Sequence, residues 1–278
     1  MKLMFRNSLT LGAVLVVSAA AAVSAQDVTP NFGATVPGSW FTDRYEPTTF
    51  SLTNATHGRN DVLNIGITSA GDLTNRPAAY QSTFYNTQGR QTLITAASGS
   101  FVFSADLWVD ASWATNAIGT NNSRRTDMWG VAVDGSSAVS AYPIIGFTNF
   151  GGTGLFRGWN SSGLGSWMNF SNPVNYDAWN TLELSWDAGT GFFSYFANGA
   201  FGGSFLDDGG TIGIGAMIMQ AYNFNDPAIL AQGNGSSDYT AQWSNTEVVP
   251  EPATMTLLAT GLMGLAGAAR RRKRSTKA

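Results

Sequence analysis

The chain has 278 residues, 15 basic and 18 acidic side chains, a single histidine and no cysteine. It can form no disulfide, and one imidazole without a thiolate cannot assemble the ligand sets of zinc, copper or haem centres. A Ser-His-Asp arrangement would have to use His57. At the N-terminal end, Lys2 and Arg6 precede an apolar stretch from Leu9 to Ala22, and Val23-Ser24-Ala25 offers the small residues that a signal peptidase reads at positions −3 and −1. Residues 1–25 are therefore expected to be a signal peptide, with the mature chain starting at Gln26. All three lysines lie near the chain ends, so residues 26–248 keep seven arginines against seventeen acids, a net charge near −10. A surface of that sign excludes nucleic acid as a partner, because phosphate binding needs a basic face.

The stretch 26–248 reads as one all-β domain. Gly, Ser, Asn and Thr punctuate it, and no segment keeps a helical period. Strands are predicted in chain order at Val62 to Ile67, Phe101 to Val109, Met128 to Val133, Ile144 to Asn149, Leu155 to Trp159, Leu182 to Trp186, Phe192 to Phe196, the row Ile212, Ile214, Ala216 and Ile218, and Tyr239 to Trp243. In the last apolar row, Gly213, Gly215, Met217 and Met219 are expected on the opposite face. Asn198-Gly199 supplies two residues comfortable at positive φ for a tight hairpin. Strands at this density favour a sandwich. The run from Tyr176 to Ala221, in which a Trp-x-x-Leu-x-Leu-x-Trp strand is followed by a turn, an aromatic strand, Asn-Gly, a strand and an Ile-Gly-Ile-Gly strand, resembles the second half of concanavalin A-like jelly rolls, including laminin G-like and lectin-like domains. The resemblance implies a concanavalin A-like jelly-roll β-sandwich and names no ligand.

Segment 231–238 reads as a flexible loop and 244–248 as a minimal tether. Beyond it stand Val249, Pro250, Glu251 and Pro252, then an apolar run from Ala253 to Ala269, then Arg270, Arg271, Arg272, Lys273 and Arg274. The prolines hold the chain extended, the run is expected to form a transmembrane helix, and the basic cluster prefers the cytoplasmic face. Seventeen residues rise only about 25 Å against a hydrocarbon core of about 30 Å, so the span is a marginal permanent anchor. This order resembles the PEP-CTERM sorting signal of Gram-negative bacteria (249–278). The resemblance implies transient insertion in the inner membrane, processing by an exosortase-type membrane protease, and release to the cell surface or exterior of species that make exopolysaccharide. An ordinary tail anchor is the alternative, although its flanks need no Pro-Glu-Pro.

Within the domain, His57 sits in a polar turn-like stretch and reads as a hydrogen-bonded loop residue. Glycoside hydrolases on such a fold work with two carboxylates close together. Glu46, Glu183 and Glu247 are the glutamates of the domain, and the same-strand pair Glu183/Asp187 has Asp187 opening a turn, so no catalytic residue is assigned. No cofactor is required. Calcium is the ion that the composition admits, with Asp207, Asp208, Asn225 and Asp226 as candidate ligands. Trp179, Trp186 and Trp243 alternate like core residues. Trp113, Trp159 and Trp167 stand in looser surroundings and are candidates to line a sugar-binding groove, and Arg124-Arg125 is a candidate contact for an acidic glycan. The expected function is a noncatalytic, glycan-associated binding domain of an extracellular or biofilm matrix. Two alternatives stay open: a carbohydrate-active enzyme on the same fold, and a purely structural matrix protein.

Overall fold

Alternating apolar and polar residues build strands almost throughout. The computed structural model describes residues 26–27, 40–53, 55–236 and 238–250. The expected signal peptide with its Val23 and Ala25, the sorting segment from Glu251 onward, its apolar run and its Arg270–Arg274 cluster lie outside the described residues. Among the described residues no helix is long and apolar enough to cross a membrane.

In chain order the strands are β1 (Gln26–Asp27), β2 (Trp40–Thr42), β3 (Thr49–Thr53), β4 (Val62–Ile67), β5 (Thr87–Ser98), β6 (Phe101–Val109), β7 (Arg125–Val133) and β8 (Val139–Ala141). They continue as β9 (Ile144–Thr148), β10 (Leu155–Asn160), β11 (Ser166–Asn169), β12 (Ala178–Asp187), β13 (Phe192–Ala197), β14 (Ala200–Leu206), β15 (Gly213–Tyr222) and β16 (Tyr239–Pro250), with one short helix, α1 (Pro227–Leu230), before the last. The first sheet runs β14-β13-β12-β6-β16-β4-β3, with β1 on β16, and the second runs β11-β10-β9-β7-β15-β5-β2, with β8 on β7. Every pairing is antiparallel, and the two sheets pack face to face as a sandwich. This is the all-β sandwich expected from the sequence.

The core lies between the sheets. Phe101, Phe103 and Leu107 of β6, Leu182, Leu184 and Trp186 of β12, Phe147, Phe156 and Met217 all bury there. Aromatic rings supply much of its volume, and each buried ring removes a large apolar area from water. Asn198 and Gly199 turn the β13–β14 hairpin at φ of 53° and 76°, as their chemistry requires.

Two expectations are corrected by the strand geometry. The row Ile212, Ile214, Ala216, Ile218 is not one face. A register shift between Ile214 and Ala216 inserts a bulge into β15, so Ile214 enters the core while Ala216 and Ile218 turn to the opposite surface, and Met217 and Met219 take their place inside. Ile212 stays exposed. Segment 244–248 is also no tether. It continues β16, which pairs with β6 as far as Pro250, and Val248 is fully buried in the core.

Candidate functional site

A second apolar cluster, separate from the core, forms on the outer surface of the second sheet. Trp129 and Val131 of β7, Ile144 of β9, and Ala216 and Ile218 of β15 make it, with Trp159 and Trp167 packed against it. Strand alternation explains the placement: Met128, Ala132, Ile145 and Phe156, each next in sequence to one of these outer-face residues or to Arg157, point into the core.

Beside this cluster runs a polar row. Cross-strand pairing aligns Gly89, Gln220, Asp127, Gly146, Arg157 and Asn169 over β5, β15, β7, β9, β10 and β11. Gly146 is the residue that allows it. A Cβ there would collide with the Thr126 carbonyl oxygen and with Asp127 Oδ1, so the Asp127 carboxylate lies over bare backbone. Arg125 Nε donates to Asp127 Oδ2 at 2.7 Å, and Gln220 Nε2 donates to the same oxygen at 3.3 Å.

Arg157 is the unusual member. Its guanidinium lies 3.6 Å over the Trp167 ring and makes no hydrogen bond or ion pair among the described residues. Desolvation lowers its pKa to about 10, with Asp127 partly opposing this and Arg125 adding to it. Arg125 stands 5.0 Å from both the Trp167 and the Tyr222 rings. From the loop after β2, Arg44 covers Trp129 at 4.2 Å and pairs with Asp43 at 3.5 Å. Burial pushes the Asp43 carboxyl up and the Arg44 guanidinium down, their mutual attraction opposing both. Four polar atoms of this one face, Asp127 Oδ1, Gln220 Oε1, Trp129 Nε1 and Arg157 Nε, find no partner among the described residues. Buried polar atoms are normally satisfied by protein or by ordered water, and on an outer face solvent or a ligand is the available partner.

Two cavities open along this face. One, of about 230 Å³, is lined by Arg125, Arg157, Tyr222, Phe150, Phe224 and residues around α1. The other, of about 410 Å³, is lined by Asp43, Arg44, Tyr80, Phe84, Tyr85 and Tyr142. Arg125 and Trp129, which mark the two regions on β7, are separated by about 13 Å along the strand.

Of the residues expected at a glycan surface, Trp159, Trp167 and Arg125 come together here. The two tryptophans are already engaged: their rings meet edge to face at 5.1 Å, a Cβ at Gly165 would strike Trp159, and Arg157 covers Trp167. Trp113 lines no groove. It is 6% exposed and packs against Phe147 and Tyr239 in the core. Arg124 is not a solvated contact either: being next to Arg125 on the chain it points the opposite way, where it is buried over Tyr239 at 4.9 Å. Trp179, expected in the core, lies on the outer face of the first sheet beneath Arg59 at 4.4 Å. His57 is hydrogen-bonded in its loop as expected, with Nε2 2.8 Å from Gln242 Oε1 and its ring stacked on Trp108 at 3.7 Å.

The four candidate calcium ligands do not converge. Asp207 and Asp208 precede β15 and Asn225 and Asp226 follow it, so some 30 Å of strand separates the pairs. Asp207 accepts from the backbone of Gly209 and Thr211, Asp208 from Gly163, and Asp226 from Leu73 N and Asn86 Nδ2. No cluster of three or more acidic or histidine side chains suited to an ion occurs among the described residues. Glu183 and Asp187 stand four residues apart on β12, about 13 Å, and Asp187 accepts from the Gly189 and Thr190 amides of the following turn.

Sequence reasoning missed Arg157, Asp127, Gln220, Tyr222 and Phe150. One signal was present for Arg157, a lone charge inside the strand Leu-Phe-Arg-Gly-Trp-Asn.

No curated protein matches the chain. Among solved structures it is similar to a sialidase (13% identity, 82% of this chain and 18% of that one, TM-score 0.44). It is also similar to an endo-β-1,4-glucuronan lyase from the fungus Trichoderma reesei (11%, 76% and 91%, TM-score 0.48) and to the carbohydrate-binding module CBM66 from Bacillus subtilis (11%, 76% and 95%, TM-score 0.37). The chain thus spans about a fifth of the sialidase's length. Residues 248–273 match the model of the PEP-CTERM protein-sorting motif, so this chain carries that motif, which implies export and processing by an exosortase-type membrane protease in a Gram-negative bacterium.

Proposed function

We propose that the sandwich is a noncatalytic binding domain for a polysaccharide at the cell surface or in the extracellular matrix, engaging it through the outer face of the second sheet. The observation that carries this reading is the joined surface of rings and guanidiniums with two cavities flanking the Arg125–Asp127 pair. Sugar rings present apolar faces and hydroxyl edges, and they are held by aromatic surface flanked by a few fixed polar groups. An elongated site of this kind suits several units of a linear chain better than one small molecule. Both carboxylates on this face are engaged by arginines, Asp127 by Arg125 with Gln220 beside it and Asp43 by Arg44. A panel of immobilised polysaccharides tests the reading. Binding is expected to weaken in Phe150→Ala, whose ring is 53% exposed beside the smaller cavity, and retention by no polysaccharide refutes it.

One observation favours an enzyme instead. Glu183 and Glu247 both face outward from the first sheet and are the cross-strand partners of Ser104 on either side. Their backbones are therefore two strand spacings apart, about 10 Å, a separation compatible with inverting hydrolysis. Release of reducing ends by the protein, abolished in Glu183→Gln, would establish that reading in place of the first.

A further inference from the structure

The charges gathered on the outer face of the second sheet do not cancel. Arg125 has Asp127, and Arg44 has Asp43. Arg157 has neither carboxylate nor hydrogen bond among the described residues, although it lines the smaller cavity and the surrounding domain is strongly acidic. Holding a guanidinium there works against its desolvation. Trp167 fixes its plane from one side, and Arg125 presses on it with like charge. Such a cation is stabilised when an anion completes the site.

We propose that Arg157 and the cavity it lines form a subsite for a carboxylated sugar, a uronate unit within the polysaccharide, with the Arg157 fork taking the carboxylate and Phe150 meeting the ring. The geometry selects this class in three ways. The guanidinium is held 3.6 Å over an indole, and its N–H groups lie in one plane, matching a planar carboxylate held by two parallel hydrogen bonds. The cavity, about 230 Å³, admits a single sugar ring together with its substituent. Phe150 stacks on buried Phe224 at 5.2 Å and 8°, so its position is fixed while much of its ring stays open. With one surplus cation the site balances one negative charge per bound unit. A polymer of dense charge meets repulsion from the other acids of the domain.

This inference rests on the glycan reading, and the test separates the two. The full chain in non-ionic detergent is titrated with matched tetrasaccharides that differ only at C6 of a single unit, glucuronate against glucose and galacturonate against galactose, and with a galactose tetramer sulfated once at that position. At least one carboxylated member is expected to bind about tenfold or more tighter than its neutral counterpart, the worth of a charge-assisted pair. Arg157→Gln is expected to erase that preference, and Arg157→Lys to restore part of it. Equal binding of neutral and carboxylated members, or tighter binding of the sulfated one, overturns the inference and leaves glycan binding standing. Binding of none overturns both. Should Arg157→Gln fail to fold, as judged by its urea midpoint, the wild-type chain decides: added salt must weaken the carboxylated tetramer and spare the neutral one.

Discussion

Tyr195 offers a strict test of how the core holds the site. It sits on β13 of the first sheet, fully buried, and its ring crosses the sandwich to the second. There its hydroxyl donates to the Trp159 carbonyl at 2.6 Å and accepts from the Ile144 amide at 3.2 Å. Gly158 makes the crossing possible, since a Cβ there would stand 2.7 Å from the ring. Burial raises the Tyr195 pKa well above the ordinary phenol value, so the group stays protonated and can donate at any working pH. Tyr195→Phe keeps the ring packing and removes one oxygen, which strands two backbone groups in a dry interior at about 1–3 kcal/mol each. A loss of about 2–6 kcal/mol follows, seen as a lower urea midpoint at unchanged slope, or as a fall in melting temperature of roughly 4–24 °C for a domain of this size. Because Ile144 and Trp159 also floor the outer face, the variant is expected to weaken polysaccharide binding as well. A stability loss below about 0.5 kcal/mol would show that the hydroxyl does not join the sheets, and the reasoning would fail.

Gly199→Ala places a side chain at φ 76° with nothing within 4 Å, so the cost is backbone strain alone, about 1 kcal/mol in urea unfolding. Val248→Asp puts an unpaired charge at a fully buried position and is expected to cost about 3 kcal/mol or more, lowering the yield of folded protein even before sorting is assayed. With Arg157 titrating near pH 10, binding of a uronate tetramer is expected to hold from pH 5 to 9 and to fall between pH 9 and 11, below the range in which an ordinary arginine loses charge. Burial raises the Glu183 pKa, so its ionised form is disfavoured in the fold: the contribution is fully present below the unfolded pKa and is lost as pH rises through the folded one. Glu183→Gln is therefore expected to match the wild type at low pH and to equal or exceed it in thermal stability at neutral pH.

The sequence made the sandwich legible because most of its central strands alternate cleanly. β6 and β12 bury every second residue, and β4 has the bounds that its apolar run suggests. β5 escaped notice since its buried positions include Gln88 and Thr92, polar residues that alternation counts as solvent-facing. The site was half legible for a related reason. Trp159 and Trp167 stood out by residue type in a Gly- and Ser-rich setting, whereas Asp127 and Gln220 looked like ordinary outward positions, and only cross-strand register places them beside Arg157. Trp113 misled because a short loop tryptophan reads the same from sequence whether it points to water or folds back into the core.

The bulge in β15 ties these strands to the surface. Without it, the chain from Ile214 onward would keep one phase, and Met217, Met219 and Ala221 would point outward while Gln220 and Tyr222 entered the core. The extra residue reverses the phase midway, so the first part of the strand delivers Ile214 to the interior and the rest delivers Ile218, Gln220 and Tyr222 to the outer face. Gln220 then reaches Asp127, and Tyr222 lies under Arg125. Gly215, at the bulge itself, has room for a Cβ only 3.0 Å from Val133. Deleting Gly215 is therefore expected to be worse than any single substitution on the face, since it restores one phase and inverts every residue from Ala216 to Tyr222. Recovery of a folded, polysaccharide-binding chain after that deletion would mean that the bulge does not set the face, and that the alignment of Gln220, Asp127 and Arg157 has another cause.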